Sequence, residues 1–215
     1  MTDAVTGPVR SVGTAGAVGA EAWASYNDAQ ARRPVRALCA ELLRLAGDGG
    51  GRPAVDLGCG AGVETRALVA AGWQVTAVDS DATFRARVSD LLADGSATGL
   101  VRDLRDVELP AAGLVHSSMT LPFVGPAAFD RVWARIRASL LPGGWLGVDL
   151  FGPRDDWRDA ASLVFHDRGD VEALVDGLVD VQVEEREWDG PTHDGPVKHW
   201  HVVQVVARQP STRPA

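Results

Sequence analysis

The chain is poor in several things at once, and each shortage excludes a class of protein. Only two cysteines, Cys39 and Cys59, stand among 215 residues, so no disulfide framework is available and a reducing cytoplasm is the expected compartment. Positive charge is short as well. The 21 Lys and Arg against 29 Asp and Glu leave a net charge of −8, which disfavours nucleic acid, because phosphate binding works through a basic face and counterion release. No apolar run reaches the roughly 20 residues that span a bilayer. The opening MTDAVTGPVRSVGTAGAVGA lacks both a charged n-region and an unbroken apolar h-region, so neither membrane nor export signal is expected. No repeat and no low-complexity block interrupts the chain, and there is no room for a second domain. The expected organisation is a flexible N-terminus over 1–20, one domain over 21–208 and a flexible Pro- and Ser-containing tail over 209–215. A small molecule is the partner these shortages leave, handled by a monomer or a homodimer.

What is present is concentrated between Ala54 and Asp81, AVDLGCGAGVETRALVAAGWQVTAVDSD. Ala54, Val55 and Leu57 make the short apolar run of a buried parallel strand. Gly58, Gly60 and Gly62, with Cys59 among them, form a turn where backbone N–H groups can approach a ligand that a Cβ would push away. Glu64 to Ala71 carries apolar groups at helical spacing, and Gly72 is the expected stop. Trp73 to Val78 is the next strand. Asp79 at its tip lies about twenty residues beyond the glycines, the distance at which an acid accepts from both hydroxyls of a ribose. Cys59 reads as a small buried filler rather than a nucleophile.

The glycine pattern discriminates between nucleosides. A dinucleotide fingerprint is G-x-G-x-x-G, and its third glycine is replaced here by Val63. The motif instead is D-x-G-x-G-x-G, with Asp56 just ahead of the turn. An acid there opposes a pyrophosphate and suits a cation. S-adenosyl-L-methionine offers an ammonium, a sulfonium and a ribose without phosphate. An NAD-dependent oxidoreductase is disfavoured by Val63 and by the lack of a second mononucleotide half.

Helical pieces are expected over 22–46, broken near Pro34, and again after Asp81, where Phe84, Val88, Leu91 and Leu92 fall at helical spacing. Leu100 to Leu104 reads as a third strand, Leu114 to Ser117 as a fourth and Trp145 to Phe151 as a fifth. A helix over 127–141 lies between the last two, and another covers 168–177. Two long strands, 179–188 and 198–208, flank DGPTHDGPV, a segment full of turn residues. Alternating strands and helices imply an α/β, Rossmann-like, doubly wound parallel sheet, and the terminal hairpin forces one antiparallel strand into it.

The glycine segment resembles motif I of the class I S-adenosylmethionine-dependent methyltransferases, whose seven-stranded sheet carries its last strand antiparallel beside the fifth. SSMTLPF, LLPGGWLGVDLFGPRDDW and EWDGPTHDGPVKHWHVVQVVAR are similar to the small bacterial tellurite-resistance protein B-like subgroup, over about Trp23 to Arg208. The resemblance implies a class I methyltransferase fold with S-adenosyl-L-methionine as cofactor and S-adenosyl-L-homocysteine as product, and says little of the acceptor. It assigns Asp56, Gly58, Gly60 and Gly62 to the methionine-binding turn and Asp79 and Ser80 to the ribose and adenine. Asp103 and Leu104 fall on the adenine edge, and Ser117 and Ser118 on the floor after strand four. Ser118-Met119-Thr120 lacks the amide and aromatic of an amino-group methyltransferase, which makes an exocyclic base amine a poor acceptor.

Ligands of a parallel sheet sit beyond the carboxyl ends of its strands. Trp23 and Tyr26 could form a lid there, and Ser118, Arg154, Trp157 and Lys198 could meet the acceptor. The tryptophans read equally as packing, and Arg154 and Lys198 as solvated charges. Methyl transfer needs alignment and dryness, with a base only where the acceptor sheds a proton. His193 and His199 are the candidate bases among five histidines, each also readable as structural. No third ligand at a metal-like spacing joins them, so no metal is expected. The function implied is methyl transfer to the oxygen, sulfur or similar nucleophile of a small molecule. The alternative is a cyclase or binding module that keeps its S-adenosylmethionine methyl.

Overall fold

The computed structural model describes residues 20–192 and 197–211, with the side chains of 20–23 outside the described set. The expectations of flexibility for 1–19 and 212–215 therefore lie outside the described residues, as do the side chain of Trp23 and all of His193.

One seven-stranded sheet runs in the order β3-β2-β1-β4-β5-β7-β6. Its strands are β1 (Pro53–Leu57), β2 (Gln74–Asp79), β3 (Ala97–Val101), β4 (Ala112–Ser117), β5 (Leu140–Phe151), β6 (Val179–Pro191) and β7 (Val197–Arg208). The first five pair in parallel, while β7 lies antiparallel between β5 and β6. The strand order reverses between the parallel neighbours β1 and β4, which opens a crevice at their carboxyl ends.

Both faces are covered, as an all-parallel core requires. On one face α2 (Ala37–Ala46) and α3 (Val63–Ala70) bury Leu38, Leu42 and Leu68 against Val75, Leu114 and Val206. On the other, α6 (Pro126–Ser139) and α7 (Arg168–Leu174) bring Phe129, Ile136, Val171 and Val175 onto Val115, Leu146 and Val205. Burying one such leucine contributes about 1.5–3 kcal/mol. Helix α7 is started by a reciprocal capping box between Asp167 and Asp170. Pro34 separates α2 from α1 (Ala20–Gln30) as the sequence suggests.

Several boundaries differ from the sequence reading. The third strand ends at Val101, so Asp103 and Leu104 stand in the loop beyond it. The Asp94 carboxylate accepts from the Ser96 N–H and closes the preceding turn, so pairing with β2 begins at Ala97. The helix after Asp81 is two short pieces, α4 (Phe84–Arg87) and α5 (Ser89–Ala93), because Val88 leaves helical geometry at φ −121°. Its side chain packs beside the glycine turn, where a Cβ on Gly62 would lie 2.4 Å from Val88 Cγ1. The tail also begins in order, with the Gln209 N–H bonded to the Gly144 carbonyl at 2.8 Å.

Candidate functional site

A cleft opens where the crevice is expected. Its floor is Gly58, Cys59, Gly60 and Ala61 after β1, Asp79 and Ser80 after β2, Asp103 to Arg105 after β3, and Ser118 to Thr120 after β4. Its roof is Tyr26, Asn27 and Gln30 of α1 and the arginines Arg33 and Arg36 that follow. Helix α1 is tied down by Asn27 Nδ2 donating to Asp81 at 2.9 Å and by the Arg87 guanidinium, 2.8 Å from Asp28.

The glycines are explained by what lies against them. Gly58 has φ +69°, and a Cβ there would fall 2.2 Å from Thr120 Oγ1. Gly60 has φ +45°, and a Cβ would meet Asn27 Oδ1 at 2.6 Å. Neither position accepts a side chain, for conformation and for space. The turn is shaped by Asp79, whose Oδ2 accepts from the Gly60 N–H and whose Oδ1 accepts from the Asp81 N–H, both at 2.8 Å. Each carboxylate oxygen keeps lone pairs for a further donor. Burial raises the Asp79 pKa, and the two backbone N–H groups pull against that.

Gly58, Cys59, Gly60, Asp79, Ser80, Asp103, Leu104, Ser118 and Tyr26 thus meet in one cleft. Other candidates do not line it. Asp56 is buried beneath the turn, where Oδ2 accepts from Thr65 Oγ1 at 2.6 Å and Oδ1 faces His116 Nδ1 at 2.8 Å. Its neighbours Val55 and Leu57 are buried as well, because both faces of β1 are covered. Gly62 caps α3, and buried Ser117 donates to the Leu57 carbonyl, pairing β4 with β1.

The hairpin candidates form a separate, closed network. The Arg154 guanidinium sits 2.7 Å from both Glu185 and Glu187, and His199 is held by Asp189 at 2.8 Å and Glu187 at 3.0 Å. Those carboxylates, Asp189 first, raise the His199 pKa and favour its charged form, which cannot take a proton from an acceptor. Lys198 is buried, bonded to Asp155, with its Nζ 4.1 Å over the Trp157 ring and 3.9 Å over the Trp200 ring. Strand alternation accounts for these placements. Glu187 pairs with His201 and Asp189 with His199 across the ladder, so acids and imidazoles share one face and neutralise each other. Glu185, Glu187 and His201 converge closely, and the Arg154 guanidinium already fills that space as the local cation. Its Nη2 lies 2.7 Å from each glutamate and 3.1 Å from His201 Nε2, while the Arg154 backbone N–H donates to His201 Nδ1 at 3.1 Å.

The sequence reading missed the polar groups on the cleft's inner side. Arg33 makes two 2.5 Å hydrogen bonds to Glu64, which also accepts from the Arg36 N–H at 3.1 Å. Burial would raise the Glu64 pKa, but Arg33 and the Arg36 N–H outweigh it and hold it at about 2. Arg36 itself has one side-chain hydrogen bond among the described residues, a long one of 3.5 Å to Tyr26 Oη. Its cation is therefore available to the cleft. Asp149 at the end of β5 is buried behind Ser118, accepting from Ser118 Oγ and, at 2.8 Å, from Gln204 Nε2. Met119 carries φ +54°, an uncommon conformation for a side-chain-bearing residue, at the cleft floor. The signal available in the sequence was the run of arginines Arg32, Arg33 and Arg36 in an acidic chain.

Comparisons with known proteins agree with this geometry. The methyltransferase domain family matches residues 54–144. Carboxy-S-adenosyl-L-methionine synthase of Aliivibrio fischeri (strain MJ11) is 30% identical over 129 residues, 56% of this chain and 49% of that protein. The chain thus spans about half the length of the curated relatives it matches. TehB from Haemophilus influenzae superposes with a TM-score of 0.65 at 12% identity, covering 81% of this chain and 62% of that one. The N-methyltransferase NodS from Bradyrhizobium japonicum, solved with S-adenosyl-L-homocysteine, gives 0.62 at 16% identity over 87% and 98%. Residues 54–144 thus match the methyltransferase domain family in sequence, and the sheet order gives the chain the class I methyltransferase fold that TehB and NodS share.

Proposed function

We propose that this chain binds S-adenosyl-L-methionine in the cleft and moves its methyl group to a small-molecule acceptor with an oxygen, sulfur or similar nucleophile. The observation that carries the reading is Asp79: its carboxylate is fixed by two backbone N–H groups while both oxygens keep lone pairs toward the cleft. A ribose diol fits that arrangement. Adenine would lie toward Asp103 and Leu104, and the methionine end over Gly58 and Gly60. Arg36, with its spare hydrogen-bonding capacity, would hold the cofactor carboxylate, and Tyr26 would close over the sulfonium. The bound cofactor supplies an activated methyl carbon. The chain's share is to align the acceptor and keep water away.

Acceptor entry is from the side of Ser118, Met119, Thr120 and Phe123. With His199 held on the hairpin by Asp189 and Glu187, it is no longer the proposed base. A cytoplasmic protein working without nucleic acid or membrane remains the proposal. Among the described residues no helix is long and apolar enough to cross a membrane.

One observation favours a second reading, a reaction on the cofactor that leaves its methyl in place. The matched curated relatives bear the name carboxy-S-adenosyl-L-methionine synthase. The two readings separate in one assay of S-adenosyl-L-homocysteine release over thiols, phenols, carboxylates, amines and chalcogen oxyanions. Release in proportion to methylated product supports transfer. Cofactor that binds but is never demethylated supports the alternative, and failure to bind overturns both.

A further inference from the structure

Ser118 is a cleft-lining hydroxyl whose proton is directed inward, onto a carboxylate with no route of its own to the cleft. Asp149 is 1% exposed and is bonded by Ser118 Oγ and Gln204 Nε2. With the Ser118 proton committed to Asp149, the Ser118 lone pairs are left to receive a hydrogen bond from the cleft. Register explains how this arises. Ser117 pairs with Val148, so Ser118 and Asp149 project side by side one step further, and Gln204 pairs with Asp149 across β7. The adjoining strained Met119 marks a local conformation that surrounding packing has to enforce.

We propose that Ser118 and Asp149 form the proton exit of the site, and hence that the acceptor is one whose nucleophilic atom carries both a lone pair and a proton, a hydroxyl or a neutral N–H nitrogen. The proposal rests on the methyl-transfer reading above. In the step, an electron pair on the acceptor atom forms the new bond to the sulfonium methyl carbon, and the carbon–sulfur pair returns to sulfur. The acceptor proton passes to Ser118 Oγ while the Ser118 proton passes to Asp149 Oδ2. A cationic donor and a carboxylate become a neutral thioether and a carboxylic acid, so charge balances within the closed site. Ser118 is the catalytic residue here, and Asp149, acting through it, is a positioning and proton-holding residue.

The groups facing Asp149 fit that duty. Burial biases it toward the protonated form, and Ser118, Gln204, the His116 imidazole and the Arg36 guanidinium temper that bias. Arg186 of β6 also lies within electrostatic reach. His116 is itself engaged by Asp56 and faces Glu64, and its Nε2 is buried without a hydrogen-bond partner in the structure. No cation forms a direct ion pair with Asp149 among the described residues, so its proton affinity stays adjustable.

The test needs no known acceptor. Infrared difference spectra of the full chain with S-adenosyl-L-homocysteine are taken over a pH series that starts in the ordinary aspartate range and runs upward, because burial raises the Asp149 pKa. The expected result is a carbonyl stretch of a buried carboxylic acid that fades as pH rises. It should be missing in Asp149→Asn and shifted in frequency in Ser118→Ala, which removes its hydrogen-bond donor. A wild-type spectrum without such a band, or one unchanged in both variants, overturns the proposal. Should Asp149→Asn fail to fold, the Ser118→Ala shift still decides. Where the acceptor panel yields turnover, Ser118→Ala should slow a hydroxyl acceptor about 10²-fold and leave a thiol, already ionised at alkaline pH, nearly untouched. Equal losses on both would mean that Ser118 only positions. A panel silent with S-adenosyl-L-methionine bound speaks against methyl transfer instead, and the spectra keep the two failures apart.

Discussion

The cleft at the carboxyl edge of β1, β2 and β4 and the face of the β6–β7 hairpin contain nearly the same chemistry. Each holds arginines, carboxylates and aromatic rings. They differ in how much hydrogen-bonding capacity the protein spends on itself. On the hairpin, Arg154 is shared by Glu185 and Glu187, His199 by Asp189 and Glu187, and Lys198 is enclosed by Asp155, Trp157 and Trp200. In the cleft, Asp79 has spare lone pairs, Arg36 has a spare cation and Ser118 has a lone pair facing outward. A binding site is marked by groups held in place yet left partly unpaired, and residue type alone does not reveal which region that is.

The comparison breaks most visibly where the cleft itself depends on a buried pair. Arg33→Met leaves Glu64, 5% exposed, without its partner, and should destabilise the fold by about 3–5 kcal/mol, read as a lowered urea midpoint at unchanged slope. A wild-type midpoint would show the pair to be decorative. Next in size, Asp79→Ala removes charge-assisted bonds to the ribose worth roughly 1.5–3 kcal/mol, so calorimetry should give S-adenosyl-L-methionine binding weaker by about tenfold to a hundredfold. Unchanged affinity would sink the cofactor placement.

A pH series sharpens the contrast further. Because the Glu64 carboxyl is held at about 2 against an ordinary 4.5, its contribution is present above 4.5 and drains away as pH falls toward 2. His116 is shifted upward, with burial opposing and Asp56 prevailing. Its contribution is therefore full below its ordinary value of 6.5 and is lost as pH rises through its folded value. Stability measured across both windows should fall at each end, and Glu64→Gln should flatten the acid limb most, with a smaller change at the other end because Glu64 also helps to raise His116. The smallest effect belongs to the hairpin. Arg154→Ala should leave cofactor affinity at wild type and move the urea midpoint only within scatter, since the arginine is exposed and screened. A loss of affinity would place the hairpin in the site after all.

Much of the fold was legible in one dimension because its signals are local. The glycine turn, the Pro34 break, the β1 and β2 apolar runs and the closing hairpin each follow from steric or periodic rules. His199 and Arg154 stand outside the cleft for a nonlocal reason. Which neighbours neutralise them depends on the β6–β7 register, and a one-residue shift would have turned them to the other face. Asp56 was misread by the same kind of step. Its position ahead of the glycines suggested a ligand, yet its carboxylate is taken by Thr65 of α3 and His116 of β4, residues that only the closed fold brings to it.

By itself, the sequence determined the order of elements, the parallel core and the glycine turn, since backbone sterics and hydrophobic period act between near neighbours. Only the tertiary structure decided that Arg36 faces the cleft, that Arg33 is consumed by Glu64, and that Asp149 stands behind Ser118. Those are encounters between residues from separate strands and helices. Their free energies depend on burial and on partners that exist only once the chain has closed around them.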